Sequence, residues 1–458
     1  MRALVVATLA VFSGCAHHPQ NKPLNKIDSS AGYRFKNLSK DDNSDSLQIF
    51  IAMSGGGMRA TALSYGVLEE LARTEIVWEG QKKRMLDEVD YISAVSGGSF
   101  TAAYYALHHD RIFKDFEKDF LNRNVQADLV WRLASPKNWV RLSSPAFNRS
   151  DMAAEYYDER IFRGATYGDL LKQRRKPFLA LNATDMSLGS SFQFTQEHFD
   201  FLGSDITCFP IARAVAASSA FPILLSPITL NNYAGTVDCT RPEWMKAALT
   251  NRLERSRRSI RARELESYQN VSNHPYLHLL DGGLSDNLGL RGPFEDIALK
   301  GGMWEKIDGE LDPSTMRKLA IIVVNSATRR DKGWDRRQYP PSAVQVTVAL
   351  GTVPMNRYSF DTMELLKQSI AEWQQDWNFH NASLGNRADS PGGTFKIYLI
   401  EVTLDLLPDQ TERGCLEELP TSFSLPRDAT KRLRIAGGTL LRESKDFKEL
   451  IEDIRAGR

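Results

Sequence analysis

The sequence predicts an α/β protein that forms one large domain. Short apolar runs that are typical of buried strands alternate with helix-compatible segments, and glycine-rich turns join them. The first such unit is a strand at Leu47–Met53 with a helix at Thr61–Arg73, and the second is Val89–Ala94 with Ser99–Leu107. No repeat and no low-complexity linker follow residue 46, so a single domain over 46–458 fits the 458 residues better than two.

Composition narrows the classes of function. Hydrophobic residues make up 42% of the chain and charged residues 25%, as in soluble globular proteins. The formal net charge is +1, so no overall field favours a nucleic-acid partner. The four cysteines, at positions 15, 208, 239 and 415, lack the spacing of metal ligands, and no metal site is predicted.

The N-terminus has the pattern of an exported protein. Arg2 precedes the apolar run Ala3–Phe12, which is too short to span a bilayer. Phe-Ser-Gly-Cys resembles a bacterial lipobox, which predicts a lipoprotein signal peptide over 1–14 and a lipidated Cys15; a plain cleaved signal peptide is the alternative. Ala16 after the cysteine resembles outer-membrane sorting, so the expected location is the cell envelope, facing the periplasm. Residues 15–45 are expected to form a polar tether.

An oxidising compartment allows disulfides. With Cys15 lipidated, three cysteines remain and at most one pair forms. Cys208–Cys239 is the candidate pair.

The segment Ser54-Gly-Gly-Gly-Met-Arg-Ala60 joins the first strand to its helix. A glycine run in this position lets backbone N–H groups converge on an anion. One interpretation is a dinucleotide-binding fingerprint, although no acidic residue closes the second strand. The other is an oxyanion hole. Arg59 is expected to steady the loop, meet a phosphate, or pack at the helix N-terminus.

The segment Ala94-Val-Ser-Gly-Gly98 follows the second strand directly. A serine between a strand end and a helix start, with glycine two positions later, is typical of a nucleophile elbow. This pattern would hold the Ser96 hydroxyl at the positive end of a helix. An ordinary Gly/Ser turn is the alternative.

A third loop carries an acid. The strand Tyr276–Leu280 ends at Asp281-Gly-Gly283, where α/β enzymes keep their chemistry, although Asp-Gly-Gly is also a common turn. Asp286 and Asn287 are expected to hydrogen-bond this turn. A rival triad would use His274 or His278, but strand alternation points His278 to the face opposite Asp281.

The remaining segments predict further strands and helices. A basic helix over Met245–Tyr268 is expected either to be solvated or to rest on anionic lipid headgroups. The other elements are a strand at Lys176–Asn182 with a hairpin partner at Ser191–Thr195, a small-residue helix at Ile211–Ala220, strands at Lys318–Asn325 and Phe395–Leu404, and helical sequence over 111–164, 342–377 and 428–455.

In the order GGGMR, AVSGGS, DGG, the three loops resemble the patatin-like phospholipase family over most of residues 46–295. Asn182-Ala-Thr-Asp185 and Ala217-Ser-Ser-Ala-Phe-Pro222 are softer marks of it. The resemblance implies a three-layer α/β/α sandwich with a central, mostly parallel sheet and helical insertions. The sequence departs from the family pattern at Ala94 and Ala60, which replace glycines, and at Ser54, where many members have aspartate.

The same resemblance implies a function. It makes the chain a serine hydrolase of membrane-lipid acyl esters that uses a Ser-Asp dyad and no cofactor. A dinucleotide-binding protein and a catalytically degenerate lipoprotein scaffold are the alternatives. The residues implicated are Ser96 as nucleophile, Asp281 as base, Gly55, Gly56 and Gly57 as the oxyanion loop, and Arg59, Gly98, Gly282 and Gly283 in support.

Overall fold

The computed structural model describes residues 20–38, 43–237, 241–250, 255–299, 315–328, 334–336, 338–383 and 395–457. The predicted signal peptide, Cys15 and Cys239 lie outside these ranges, and so does the candidate Cys208–Cys239 pair. Cys208 and Cys415 are both exposed. Within the described ranges, no helix has the length and apolar character needed to cross a bilayer.

One eight-stranded sheet organises the molecule. Its strands, in chain order, are β1 (Leu47–Met53), β2 (Val89–Val95), β3 (Phe178–Asp185), β4 (Ser191–Gln193), β5 (Ile228–Asn231), β6 (Tyr276–Asp281), β7 (Lys318–Asn325) and β8 (Lys396–Thr403). The order across the sheet is β8-β7-β1-β2-β3-β6-β5, with β4 also paired to β3. The first five strands in that order are parallel, whereas β6 and β4 pair antiparallel with β3, and β5 pairs antiparallel with β6.

The predicted strands are confirmed to within a few residues. Two smaller ladders flank the sheet, one joining Lys22–Pro23 to Ser204–Asp205 and one joining Glu75–Trp78 to Gln81–Arg84.

Helices cover both faces of the sheet. They are α1 (Met58–Arg73), α2 (Gly97–His108), α3 (Ile112–Phe116), α4 (Val125–Leu133), α5 (Pro136–Leu142), α6 (Arg149–Tyr157), α7 (Tyr167–Gln173), α8 (Gln196–Phe201), α9 (Ile211–Ser218), α10 (Glu243–Thr250), α11 (Arg257–Ser267), α12 (Gly283–Asp286), α13 (Arg291–Leu299), α14 (Ala343–Ser383), α15 (Gln410–Glu417), α16 (Arg427–Glu443) and α17 (Lys445–Arg455). Short 3₁₀ segments lie at Phe35–Asn37, Met85–Glu88, His109–Arg111, Ala234–Thr236, Trp334–Arg336 and Leu404–Leu406, and π-helical turns at Glu117–Leu121 and Asp158–Phe162.

The alternation of β1 shows the layers. Ile49, Ile51 and Met53 face a core that includes α1, α2 and α16. Phe50 and Ala52 point to the other face, where α14 packs through Met363, Leu366 and Trp373. Because side chains of one strand alternate between the two faces, each face is covered by its own helices. The sheet and its two helical layers form the expected α/β/α sandwich.

The expectation of a polar tether over 15–45 is wrong for residues 20–38. Tyr33 is fully buried and stacks on Phe178, with ring centroids 4.7 Å apart. The Leu179 amide donates to the Tyr33 hydroxyl at 2.7 Å, so the side chain is bonded to β3. The polar composition of this segment gave no sign that Tyr33 packs it onto the domain.

The single basic helix predicted over 245–268 is also wrong. Two helices, α10 and α11, occupy the region, and Arg255 and Ser256 between them are not helical. Ile260 is 45% exposed, whereas Arg261 is buried against the His198 ring and the Ser191 carbonyl. Arg261 is therefore not available to lipid headgroups, whereas Arg255, Arg257 and Arg263 are exposed.

Candidate active site

Ser96 stands on a sharp turn between β2 and α2. Its backbone has φ 49° and ψ −116°, a left-handed conformation that a non-glycine residue rarely adopts. The turn places Ser96 at the N-cap of α2, at the positive end of the helix. The strained serine is the feature expected of a nucleophile elbow.

Strand register brings Asp281 level with Ser96. Val95 pairs with Asn182 of β3, and Asp281 pairs with Ala183, the next residue along the same strand. The Ser96 hydroxyl donates to Oδ2 of Asp281 at 2.8 Å. β6 runs antiparallel to β3 and ends at Asp281, which pairs with Ala183 near the carboxyl end of β3. Asp281 therefore lies beside Ser96 although β6 is not one of the parallel strands.

Burial sets the protonation of this acid. Asp281 is 5% exposed and Ser96 is 8% exposed. Removal from water disfavours the carboxylate and raises the pKa of Asp281 to about 6, against the hydrogen bonds from the Gly283 amide and the Ser96 hydroxyl, which lower it. A carboxylate with this pKa is a stronger proton acceptor than a solvated one and is still ionised at neutral pH.

The glycine loop lies directly against the elbow. A Cβ built on Gly55 would be 3.3 Å from the Ser96 Cβ, and one on Gly97 would be 2.0 Å from the Gly57 carbonyl oxygen. Only glycine at position 97 allows this approach of two backbones. The Gly55 amide donates to the Asn287 carbonyl at 3.0 Å, so the expected oxyanion donors narrow to Gly56 and Gly57. Within the described part of the chain, neither of those two amides has a hydrogen-bond partner.

Ser326, at the end of β7, holds this loop in place. Its amide donates to the Ser54 hydroxyl at 2.8 Å, and its own hydroxyl donates to the Gly55 carbonyl at 2.7 Å. Ser54 therefore anchors the loop through a second serine, although many family members have aspartate there. Sequence reasoning missed Ser326, because it lies more than 260 positions away and no motif marks it.

Arg59 belongs to the same support. Its side chain is 4% exposed and donates at 2.7 Å to the carbonyls of Ser326 and Leu419. A guanidinium used in this way steadies the loop and packs the helix N-terminus. The phosphate-contact alternative does not fit its burial.

Ser218, at the end of α9, contacts both catalytic loops. Its hydroxyl accepts from the Ser96 amide at 2.9 Å and lies 2.8 Å from the Ser99 hydroxyl, while its carbonyl accepts from the Gly282 amide at 3.1 Å. Ser218 lies in the Ala217–Pro222 segment that supports the family resemblance, but no sequence pattern indicates that it positions the two loops.

Close packing explains the remaining glycines. A Cβ on Gly98 would meet the Met53 carbonyl at 2.7 Å, and one on Gly282 would meet the Asn182 carbonyl at 2.3 Å. The Gly283 amide instead donates directly to Asp281 Oδ1 at 2.8 Å. These three positions support the geometry of the serine and the acid.

Asp286 bonds the turn after Asp281 as expected, whereas the Asn287 carbonyl accepts from the Gly55 amide, and the two histidines lie elsewhere. Asp286 accepts from the amides of Leu288, Gly289 and Arg291. His278 is exposed and pairs with the Thr229 hydroxyl at 3.0 Å, on the face opposite Asp281. The backbone carbonyl of His274 accepts from Asn232. Neither imidazole contacts Ser96 or Asp281, so the rival triad is wrong.

The dinucleotide interpretation does not fit the loop. The Met58 amide at the start of α1 donates to the Ser422 carbonyl at 2.8 Å. The same carbonyl would lie 2.4 Å from a Cβ on Gly57. A protein segment therefore covers the helix N-terminus where a pyrophosphate would bind.

Comparisons with known proteins gave distant structural matches and a match to a family model. A structural match to human GIVD cytosolic phospholipase A2 has 12% identity and a TM-score of 0.40, and covers 89% of this chain and 62% of that chain. A match to VipD from Legionella pneumophila has 12% identity and a TM-score of 0.33, and covers 95% and 71%. This chain thus spans about three fifths of the human enzyme. Curated protein sequences gave no significant match. The model of the patatin-like phospholipase family matches residues 51–293, and the chain belongs to that family.

Proposed function

We propose that the protein hydrolyses fatty-acyl esters of phospholipids or lysophospholipids through a Ser96–Asp281 dyad. Family membership supports a lipid acyl hydrolase in general. The observation that carries the dyad is the 2.8 Å hydrogen bond from the Ser96 hydroxyl to the buried Asp281 carboxylate. A serine hydroxyl is a weak nucleophile until an adjacent base accepts its proton, and Asp281 is in position to do so.

Acylation follows from this geometry. Ser96 Oγ attacks the ester carbonyl carbon while its proton passes to Asp281 Oδ2. The carbonyl oxygen becomes an oxyanion, and the amides of Gly56 and Gly57 are the proposed donors to it. The tetrahedral intermediate collapses when the ester C–O bond breaks, and Asp281 returns the proton to the departing alcohol. Ser96 then carries the acyl group.

Deacylation repeats these steps with water as the nucleophile. Asp281 accepts a proton from water as the water oxygen attacks the acyl carbon. Collapse of the second intermediate breaks the bond to Ser96 Oγ, which recovers its proton from Asp281, and a free fatty acid leaves. The buried carboxylate, whose pKa burial raises to about 6, supports both half-reactions.

The same proposal places the enzyme at a membrane. A lipidated Cys15 would hold the domain at the outer membrane, on the periplasmic side, within reach of membrane lipids. Electrospray mass spectrometry of the N-terminal peptide from the native host would detect the acyl groups, and an unmodified N-terminus would contradict the anchor.

A lipid extract tests the activity. Wild type is expected to release fatty acids that mass spectrometry identifies, whereas Ser96→Ala and Asp281→Ala should release none above background. Ser219→Ala, a matched change at a neighbouring buried serine whose hydroxyl donates to the Val215 carbonyl of α9, should retain activity. Equal release by wild type and Ser96→Ala would contradict the proposal.

A further inference from the structure

Two tryptophans project from a helical hairpin on the surface. The hairpin consists of α4 and α5, and Trp131 and Trp139 are 76% and 61% exposed. Val130 and Val140 beside them are 57% and 43% exposed. Large apolar side chains clustered in this way on an otherwise polar surface mark an interaction site.

The hairpin has few charges that would oppose burial in an apolar phase. No acidic side chain is exposed between residues 125 and 145, all of which the structure describes. Arg132 pairs with Glu159, and Arg141 pairs with Glu155. The Trp139 indole N–H donates to the Leu133 carbonyl at 2.6 Å, so its one polar group is already bonded. Lys137 is an exposed cation on this face.

A series of contacts connects this hairpin to the proposed active site. The Arg141 guanidinium lies over the Phe147 ring, 3.8 Å from its centroid. Arg149, two residues further on, donates to the Ile223 carbonyl at 2.7 Å. Three residues before Ile223, the Ala220 carbonyl accepts from the Asp281 amide at 3.1 Å. The hairpin and the catalytic acid are thus attached to opposite ends of one short loop.

That loop is itself apolar and exposed. Ile223 and Leu224 are 44% and 59% exposed, and Ile223 has φ 77°, a strained value for a β-branched residue. Phe221 of the loop meets α14, because a Cβ on Gly351 would be 3.4 Å from its ring. The neighbouring Leu350 is 70% exposed. Backbone strain that presents an aliphatic side chain to solvent indicates a functional requirement.

We propose that Val130, Trp131, Trp139, Ile223, Leu224 and Leu350 form a docking surface that enters the interface of a lipid bilayer beside the active site. The proposal rests on the proposed function, since a bilayer would present acyl esters to this side of the molecule. Tryptophan favours the headgroup boundary because its ring is apolar and its N–H is polar. Within residues 125–145, Lys137 is exposed and no carboxylate is, and the nearby Glu155 and Glu159 carboxylates are paired with Arg141 and Arg132; this arrangement is compatible with an anionic bilayer surface.

Vesicles made from ether-linked lipids test docking without hydrolysis, because these lipids contain no ester. The vesicles are an equal mixture of phosphatidylglycerol and phosphatidylethanolamine analogues. The full chain carries Cys15→Ser throughout, so that no acyl anchor contributes. Trp131→Ala/Trp139→Ala is expected to raise the vesicle dissociation constant at least about tenfold, because each indole buries about 150–250 Å².

The matched control is Val77→Ala/Phe379→Ala. These side chains are 60% and 79% exposed, and they lie near the opposite edge of the sheet, beside the end of α1 and the start of β8. The control should bind vesicles as wild type does. A double tryptophan variant with unchanged binding, or a control with an equal loss, would overturn the proposal.

Two further measurements separate the other outcomes. If wild type dimerises in analytical ultracentrifugation and the tryptophan variant is monomeric, the surface is an interface between copies and the bilayer assignment is wrong. Hydrolysis of a water-soluble short-chain ester should be equal in wild type and the tryptophan variant. If wild type itself does not hydrolyse the soluble ester, the proposed function is contradicted. The vesicle-binding result would still be interpretable, because it does not depend on hydrolysis.

Discussion

At the scale of single residues, the site depends on an acid held away from water. Burial raises the pKa of Asp281, and the hydrogen bonds it accepts from Gly283 and Ser96 lower it, with burial the larger effect. This makes the carboxylate a useful base at neutral pH, but the folded state must accommodate a buried charge that has no ion-pair partner among the residues the structure describes. Both consequences can be measured.

The pH dependence of hydrolysis reports the first. The base must be ionised to accept the serine proton, so kcat/KM for a soluble ester should be constant above pH 6 to 7 and fall about tenfold per pH unit below about 6. A stopped assay between pH 4.5 and 8.5 checks this. A profile that is flat down to pH 4.5 would show that Asp281 has an ordinary pKa or is not the base.

Stability reports the second. Because the folded-state pKa of Asp281 lies above its ordinary value of 3.8, the ionised form destabilises the fold, and this cost is absent below about pH 4 and complete above about pH 6. Asp281→Asn should abolish hydrolysis yet raise the free energy of unfolding at pH 8 by up to about 3 kcal/mol. The gain should be smaller at pH 5. Urea unfolding at both pH values measures it, and an equal loss of stability at both would contradict this account.

At the scale of elements, three loops meet because neighbouring elements hold them from behind. α9 holds the elbow and the acid loop through Ser218, and the end of β7 holds the glycine loop through Ser326. Neither serine touches the reacting atoms, so each is a positioning residue. Their contribution should therefore appear in kcat.

Ser218→Ala tests this positioning. The variant leaves the Ser96 amide without its side-chain acceptor, and we expect kcat to fall about 10- to 100-fold with KM little changed. Ser219→Ala, one residue away, removes a hydroxyl that bonds the Val215 carbonyl and should leave kcat within about threefold of wild type. Steady-state kinetics on a soluble ester distinguish them. Equal kcat for both variants would show that Ser218 does not position the elbow.

Elements with strong periodic patterns could be predicted from the sequence, and elements fixed by distant partners could not. The strand at Leu47–Met53 was predicted to the residue, because its apolar run is bounded by polar segments. The prediction of one basic helix was wrong because Arg261 could not be distinguished from the exposed charged residues around it. Its partners, His198 and Ser191, are more than 60 positions away. The burial of Tyr33 was missed for the same reason, because this aromatic residue lies within a polar segment and its partner Phe178 is distant in the sequence.

At the scale of the whole molecule, the C-terminal third completes the catalytic domain. β7 and β8 lie beyond the region matched by the family model, yet β7 pairs with β1 and orders the glycine loop through Ser326. α16 packs on α1 so closely that a Cβ on Gly66 would lie 1.9 Å from the Arg434 carbonyl oxygen. The C-terminal segment that contains β7, β8 and α16 is therefore part of the core.

Gly66→Ala tests this contact. The added methyl has no space against the α16 backbone, so the variant should lose about 3 kcal/mol of unfolding free energy. Gly414→Ala on the exposed helix α15, where a Cβ meets nothing within 4 Å, should gain about 0.5–1 kcal/mol. Thermal and urea unfolding of both variants measure the difference. A Gly66→Ala protein as stable as wild type would contradict the close packing of α1 and α16.

The residues of the candidate site could be predicted where they belong to short motifs of adjacent residues. Ser96 and Asp281 stand in short motifs that name their chemistry, and the structure brings the two side chains together. The sequence did not reveal that the Gly55 amide donates to Asn287 or that Ser218 joins two loops, because these contacts link residues more than 60 positions apart. Long-range support is decided by the sheet register, which no local pattern encodes.

The most direct test of the dyad is the rate at which an active-site fluorophosphonate modifies Ser96. Intact-mass and peptide spectrometry over time should show one adduct on the Ser96 peptide of wild type, labelling slowed at least about 100-fold in Asp281→Asn, and none in Ser96→Ala. Labelling of Ser96→Ala at the wild-type rate, or of Asp281→Asn as fast as wild type, would contradict the account.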